Sequence, residues 1–294
     1  MKLFIKVKCC VTAVLLLTMV LIGMSPQSYA LEAPIEQNVF EGLNPAAGML
    51  ETEKKQRLAI IIDDFGNDMK GTDEILDLPV KLTVAVMPFL RTSERDARKA
   101  HEKGHDVIIH LPMEPKQGKP EWLGPGAILS NMTDREVREK VEAAIKNIPY
   151  AVGINNHMGS KVTGDKRIMG VILDVCKEHG LFFVDSKTNY RSVVGELCEE
   201  KGLPQLYNDI FLDDVHTVNH VTTQLRKVQE RLQQQETCVT IGHVGVGGLM
   251  TAEALKRQIP EMRKRGIRFV GMQDVAQARA KENPGRPGFG VTLP

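Results

Sequence analysis

Short apolar runs recur along most of the chain at helix-length intervals, and this rhythm limits the fold more than any other feature. They occupy residues 58–62, 82–86, 107–109, 151–154, 181–184, 206–212, 238–241 and 267–271. Most are rich in Val, Ile or Phe. Their apolarity is continuous rather than alternating, as in a parallel strand covered on both faces. The segments between them read as helices. Thr133 with Glu136 three residues on forms a capping box. Val218, Val221, Leu225, Val228 and Leu232 fall at three- and four-residue steps, one apolar stripe for packing against a sheet. Eight strands alternating with about seven helices predict an α/β fold with a single βα-repeat domain. No Gly-rich phosphate turn follows the first run, which favours a barrel over an open doubly wound sheet.

The chain ends differ from this middle. Lys2, Lys6 and Lys8 precede an apolar stretch over residues 9–24, and Ser28-Tyr29-Ala30 supplies small residues at −3 and −1. Residues 1–30 therefore read as a secretory signal. The rival reading is an uncleaved anchor, which would be the chain's one membrane contact. Residues 31–57 read as a linker, 58–280 as the domain and 281–294 as a loose tail. Cleavage after Ala30 removes three lysines and no acid, leaving 264 residues with 35 basic and 37 acidic side chains. A net charge near −2 does not suit a nucleic-acid surface. Cys176, Cys198 and Cys238 remain. Three is odd, no pair has metal-ligand spacing, and buried thiols are expected.

In a βα barrel the chemistry lies where strands end at their C-terminal side. The first run ends in Asp63-Asp64, the third in His110 with Glu114 four residues on, and the fourth in Asn155-Asn156-His157. The fifth ends in Asp185-Ser186 and the seventh in His243. Asp213-Asp214, after the sixth run, lies in a polar stretch and reads as surface. Charge gathered around one barrel mouth is costly to bury without compensation. One Asp with two His makes a three-ligand site for zinc or a similar divalent ion. The second aspartate is then free to take a proton from water. The order of residues in GINNHMGSK does not fit a phosphate loop, and there is no H-E-x-x-H or G-x-S-x-G.

Taken together, IIIDDFG, HLPMEP, GINNHMGS, FVDS and IGHVG resemble the divergent polysaccharide deacetylase family, a branch of the NodB-homology carbohydrate deacetylases. The resemblance spans roughly residues 57–277. It implies a distorted (β/α)7-8 barrel of the glycoside hydrolase/deacetylase type. It also implies metal-dependent removal of N- or O-acetyl groups from envelope or extracellular glycans. Carried over, Asp63 is the base, Asp64 and His110 are metal ligands, His243 is the general acid, and Asp185 is the acid that orients it. Ordinary members have a second metal His where Glu114 stands, and Arg-x-Pro where Asn156-His157 stands. The third ligand is then Glu114 or His157. His157 is preferred, because the Leu-Pro after His110 bends the chain and another acid would add charge. Asn156 and Trp122, the single tryptophan, are the expected sugar contacts. The changed motifs also fit an envelope protein that keeps a metal or glycan pocket without turnover.

Overall fold

The computed structural model describes residues 56–282. The signal segment, nearly all of the linker and most of the tail lie outside the described residues. Among the described residues nine strands form one parallel sheet: β1 (Arg57–Phe65), β2 (Thr83–Val86), β3 (Asp106–Met113), β4 (Ala151–Met158), β5 (Phe182–Asp185), β6 (Leu206–Tyr207), β7 (Ile210–Phe211), β8 (Thr237–His243) and β9 (Arg268–Val270). The helices are α1 (Thr72–Leu76), α2 (Ser93–Glu102), α3 (Asp134–Asn147), α4 (Lys166–Glu178), α5 (Val194–Lys201), α6 (Val218–Gln234), α7 (Gly248–Lys264) and α8 (Met272–Glu282).

The strand order is β6-β5-β4-β3-β2-β1-β8-β7, with β9 paired to β1. This is a distorted (β/α) barrel. The distortion has two sources. At the bottom, β9 occupies the side of β1 that β2 takes higher up: Arg57 to Ala59 pair with β9, and Ile61 to Phe65 pair with β2. At the seam, the expected single strand over 206–212 is two short ones. The Asn208 N–H bonds the Asp185 carbonyl of β5, while the next N–H, that of Asp209, bonds the Val239 carbonyl of β8. The chain crosses the seam by switching neighbours within two residues, so one apolar run serves both edges.

Alternation along each strand sorts the side chains. Leu58, Ile60 and Ile62 face the helices, whereas Ala59 and Ile61 join Ala85, Ile108, Phe182, Val184, Val239 and Ile241 inside the barrel. Met272, Val275 and Ala276 of α8 complete that inner cluster. α8 is pinned near the starts of β2 and β3, since Met272 N–H bonds Thr83 Oγ1 and Gln273 N–H bonds Asp106 Oδ2. The lower end is thus filled largely with apolar groups, closed by the Thr83 and Asp106 bonds to α8, and the candidate site residues lie at the upper end. The predicted capping box of α3 is present, and Val221, Leu225, Val228 and Leu232 of α6 are buried. Cys176, Cys198 and Cys238 are buried free thiols.

Candidate metal centre and acid–base pair

Two adjacent strand residues ordinarily point to opposite faces. Asp63 and Asp64 escape this rule because Asp64 adopts a left-handed backbone, φ 71°, where the β1–β2 register breaks between Ile62 and Phe65. A left-handed non-glycine residue is uncommon, and Asp tolerates it better than most. The break lets both carboxylates work at the barrel mouth. Asp63 continues the inward row of Ala59 and Ile61.

Asp64 meets two histidines. His110 Nε2 lies 3.3 Å from Asp64 Oδ1, His157 Nδ1 lies 3.2 Å from the same oxygen, and the two nitrogens are 3.1 Å apart. The opposite ring nitrogens are both occupied. His110 Nδ1–H donates to Asn155 Oδ1 at 2.8 Å, and His157 Nε2–H donates to the Trp122 carbonyl at 3.0 Å. Each imidazole therefore turns its other nitrogen toward Asp64, where it donates to the carboxylate in the metal-free site and, once deprotonated, would offer its lone pair to a metal. Three donor atoms around zinc at about 2.0–2.1 Å stand about 3.3 Å apart in tetrahedral geometry. The donor set fits a divalent ion in kind and spacing, and these residues form a group able to hold one.

Glu114 is not in that group. Its Oε1 pairs with Lys161 Nζ at 2.6 Å and its Oε2 accepts from Ser130 N–H at 2.6 Å. Burial pushes its carboxyl up, but these bonds outweigh burial and hold it down at about 2.

The acid–base side begins one strand over. Asp63 pairs in register with His243 of β8. Asp63 is buried and accepts from Asn155 Nδ2 at 2.8 Å. Asn155 thus bridges Asp63 and His110. Burial raises the Asp63 carboxyl above its ordinary value, partly countered by His110 and His243. Burial also acts to raise Asp64, yet hydrogen bonds from His110 and His157 hold it well below. Two neighbouring carboxylates are thereby driven apart in acidity, one suited to accept a proton and one to stay charged.

His243 Nδ1–H donates to Asp213 Oδ1 at 2.8 Å. Asp213 Oδ2 also accepts from the His243 N–H and from Thr251 Oγ1 of α7, each at 2.7 Å. Burial opposes the imidazolium, but Asp213, Asp63 and Asp64 overcome it and raise His243 to about 9.

Three expectations change here. Asp213 is buried rather than on the surface, and only its neighbour Asp214 is exposed. Asp213, not Asp185, holds His243. Asp185 follows the outward-facing Phe183, so its side chain leaves the lumen; its Oδ1 accepts the Lys187 N–H at 2.8 Å. Asn156 is not free to bind sugar either. It is buried on the outer face of β4, its Nδ2 bonding the Met158 carbonyl and its Oδ1 accepting the Ser186 N–H. Asn155 is the inward member of that pair. Strand alternation from Gly153 to His157 carried that signal, since residues 153, 155 and 157 share a face. Trp122 stands exposed beside the mouth, with Lys119 Nζ 5.7 Å from its ring centre.

Residues 60–276 match the family described as divergent polysaccharide deacetylase. The chain belongs to that family. An uncharacterized Haemophilus influenzae protein is 31% identical over 218 residues, 74% of this chain and 76% of that one. The uncharacterized Escherichia coli K12 protein YibQ is 33% identical over 187 residues, 64% of this chain and 58% of YibQ. The crystal structure of an uncharacterized Agrobacterium tumefaciens C58 protein shares the fold. It has a TM-score of 0.70 at 20% identity, covering 75% of this chain and 89% of that one.

Proposed function

We propose that this divergent polysaccharide deacetylase hydrolyses acetyl groups from a cell-envelope or extracellular polysaccharide, with a zinc ion held by Asp64, His110 and His157. The observation that carries the reading is the pairing of a three-donor cluster with a separate base, Asp63, in register with an acid, His243, on the neighbouring strand. A divalent ion bound there supplies Lewis acidity toward the acetyl carbonyl and toward water.

The chain's own residues supply the rest. Asp63, its carboxyl raised by burial and steered by Asn155, takes the proton from the attacking water. His243 carries its proton on Nε2 while Asp213 holds Nδ1. It delivers that proton to the departing amine or alkoxide. Asn155 keeps the base and His110 in fixed relation. Trp122 offers an exposed ring on which a sugar face can stack. Residues 1–30 send the protein out of the cytoplasm as a cleaved signal. An intact Met1 on the native exported protein would contradict that cleavage.

The test is acetate release from acetylated chitooligosaccharides, peptidoglycan and acetylated xylan by protein loaded with zinc or cobalt. Release that disappears on chelation and returns with metal supports the proposal. A metal-loaded protein that releases nothing from any of them, yet binds a glycan tightly, would establish a binding protein instead.

A further inference from the structure

Glu114 stands where the family resemblance implies a metal-binding histidine, and its bonds give it another task. It stands at the start of the long Gly- and Pro-rich segment that follows β3. The segment's far end returns at Ile128 and Ser130. Residues 116–119, 121 and 122 are exposed, and among the described residues of the segment only Leu123 and Ile128 are buried apolar anchors. A cavity of about 550 Å³ lies against it, lined by Lys116, Gln117, Leu129 and Asn131 among others. A segment with so little buried contact takes its position from a few polar ties.

Glu114 gathers several of those ties, beside the Ile128 N–H bond to the Pro112 carbonyl and the Lys116 N–H bond to Ser160 Oγ. Its backbone N–H bonds the Ile128 carbonyl, and its carboxylate bonds the Ser130 N–H, so both ends of the segment meet on one residue. Lys161, from the loop after β4, joins through its side chain, and its N–H bonds the Glu114 carbonyl. The segment in turn presents the Trp122 carbonyl to His157 Nε2. That carbonyl leaves the lone pair on Nδ1, the atom facing Asp64.

We propose that Glu114 is a clasp: by closing the segment over residues 114–130 it places the Trp122 carbonyl that orients His157, and so sets metal affinity without touching the metal. The inference rests on the metal-centre reading above. It makes Glu114 a positioning residue. Groups that orient metal-bound histidines typically contribute about ten- to a hundredfold in affinity.

The experiment compares the parent, Glu114→Gln, Glu114→Ala and His157→Ala. Zinc affinity is measured by competition with a chromophoric chelator, the visible spectrum is recorded with cobalt, and hydrogen exchange is followed over residues 114–130. Glu114→Ala should still bind one metal, about ten- to a hundredfold more weakly. Its cobalt spectrum should shift and its segment amides should exchange faster. Glu114→Gln, which keeps the shape and the Ser130 bond, should recover part of the affinity. His157→Ala should lose stoichiometric binding. The clasp is overturned if Glu114→Ala exchanges faster while affinity and spectrum match the parent. It is also overturned if Glu114→Ala loses all metal and His157→Ala keeps it, which would make Glu114 the ligand. A parent that takes up no metal would sink the metal-centre reading itself and the clasp with it.

Discussion

The two sides of the barrel mouth are built from similar residues and held in different ways. On one side, His110 and His157 face Asp64, and the partner that orients His157 is a carbonyl in an exposed segment. On the other, His243 is held by Asp213, whose two oxygens receive three hydrogen bonds from β8 and α7. The acid–base side is therefore fixed by the barrel itself. On the side of the Asp64 cluster, His110 is held by the buried Asn155, but His157 takes its orienting partner from a peripheral segment with few buried contacts. On the proposed reading, the position of the proton donor is built into the barrel, whereas metal affinity would be adjustable from outside the site.

The largest expected effect is on the metal side. Alanine at His110 removes a donor and leaves Asp64 without its main partner. Metal content by elemental analysis should fall from one per chain to background, and acetate release with it. Full occupancy in His110→Ala would remove the centre as drawn.

His243→Ala should separate the two sides. Metal stays bound, and acetate release falls by about a hundred- to ten-thousandfold, the usual contribution of a general acid. Loss of metal in this variant would mean that the sides are not independent.

A smaller effect distinguishes the two candidate orienting acids. Asp213→Asn replaces the carboxylate on Nδ1 with a neutral amide, so the His243 proton is lost at lower pH. The alkaline limb of the rate, near or below 9 in the parent, should move down and the rate should drop about tenfold or more. Asp185→Asn should leave that limb in place, because Asp185 bonds Lys187 and not His243. The reverse outcome would restore Asp185 to the role expected from sequence.

The smallest effect is on stability. The folded pKa of His243 lies above the value of about 6.5 expected in the unfolded chain. The imidazolium therefore contributes stability that is fully present below about 6.5 and fades as pH rises through about 9. In urea unfolding of metal-free protein, the parent should lose more stability than His243→Gln between pH 7 and 10. Equal slopes would show that the pairing with Asp213 is energetically idle.

How far the sequence carried this picture follows from the same physics. The strand pattern was legible because continuous apolar runs have few other uses. The seam was not, because 206–212 looks like one strand until the N–H groups of Asn208 and Asp209 are seen to choose opposite neighbours. Asp64, His110 and His157 could be named because strand ends point into one mouth. Asp213 was hidden for a related reason. It sits beside a truly exposed Asp214, and only the inward turn after Leu212 tells them apart. Asn155 and Asn156 were confused because a pair of identical neighbours conceals which one alternation sends inward.

The most direct test of the central claim uses the two adjacent aspartates. Asp63→Asn and Asp64→Asn differ by one position and are equally conservative, so metal content and acetate release can be measured on both and compared. Asp63→Asn should keep one metal per chain and lose about a hundred- to ten-thousandfold in rate, while Asp64→Asn should lose the metal and the activity together. Equal metal loss in both variants, or an Asp63→Asn enzyme that works at the parent's rate, would contradict the division of labour between them.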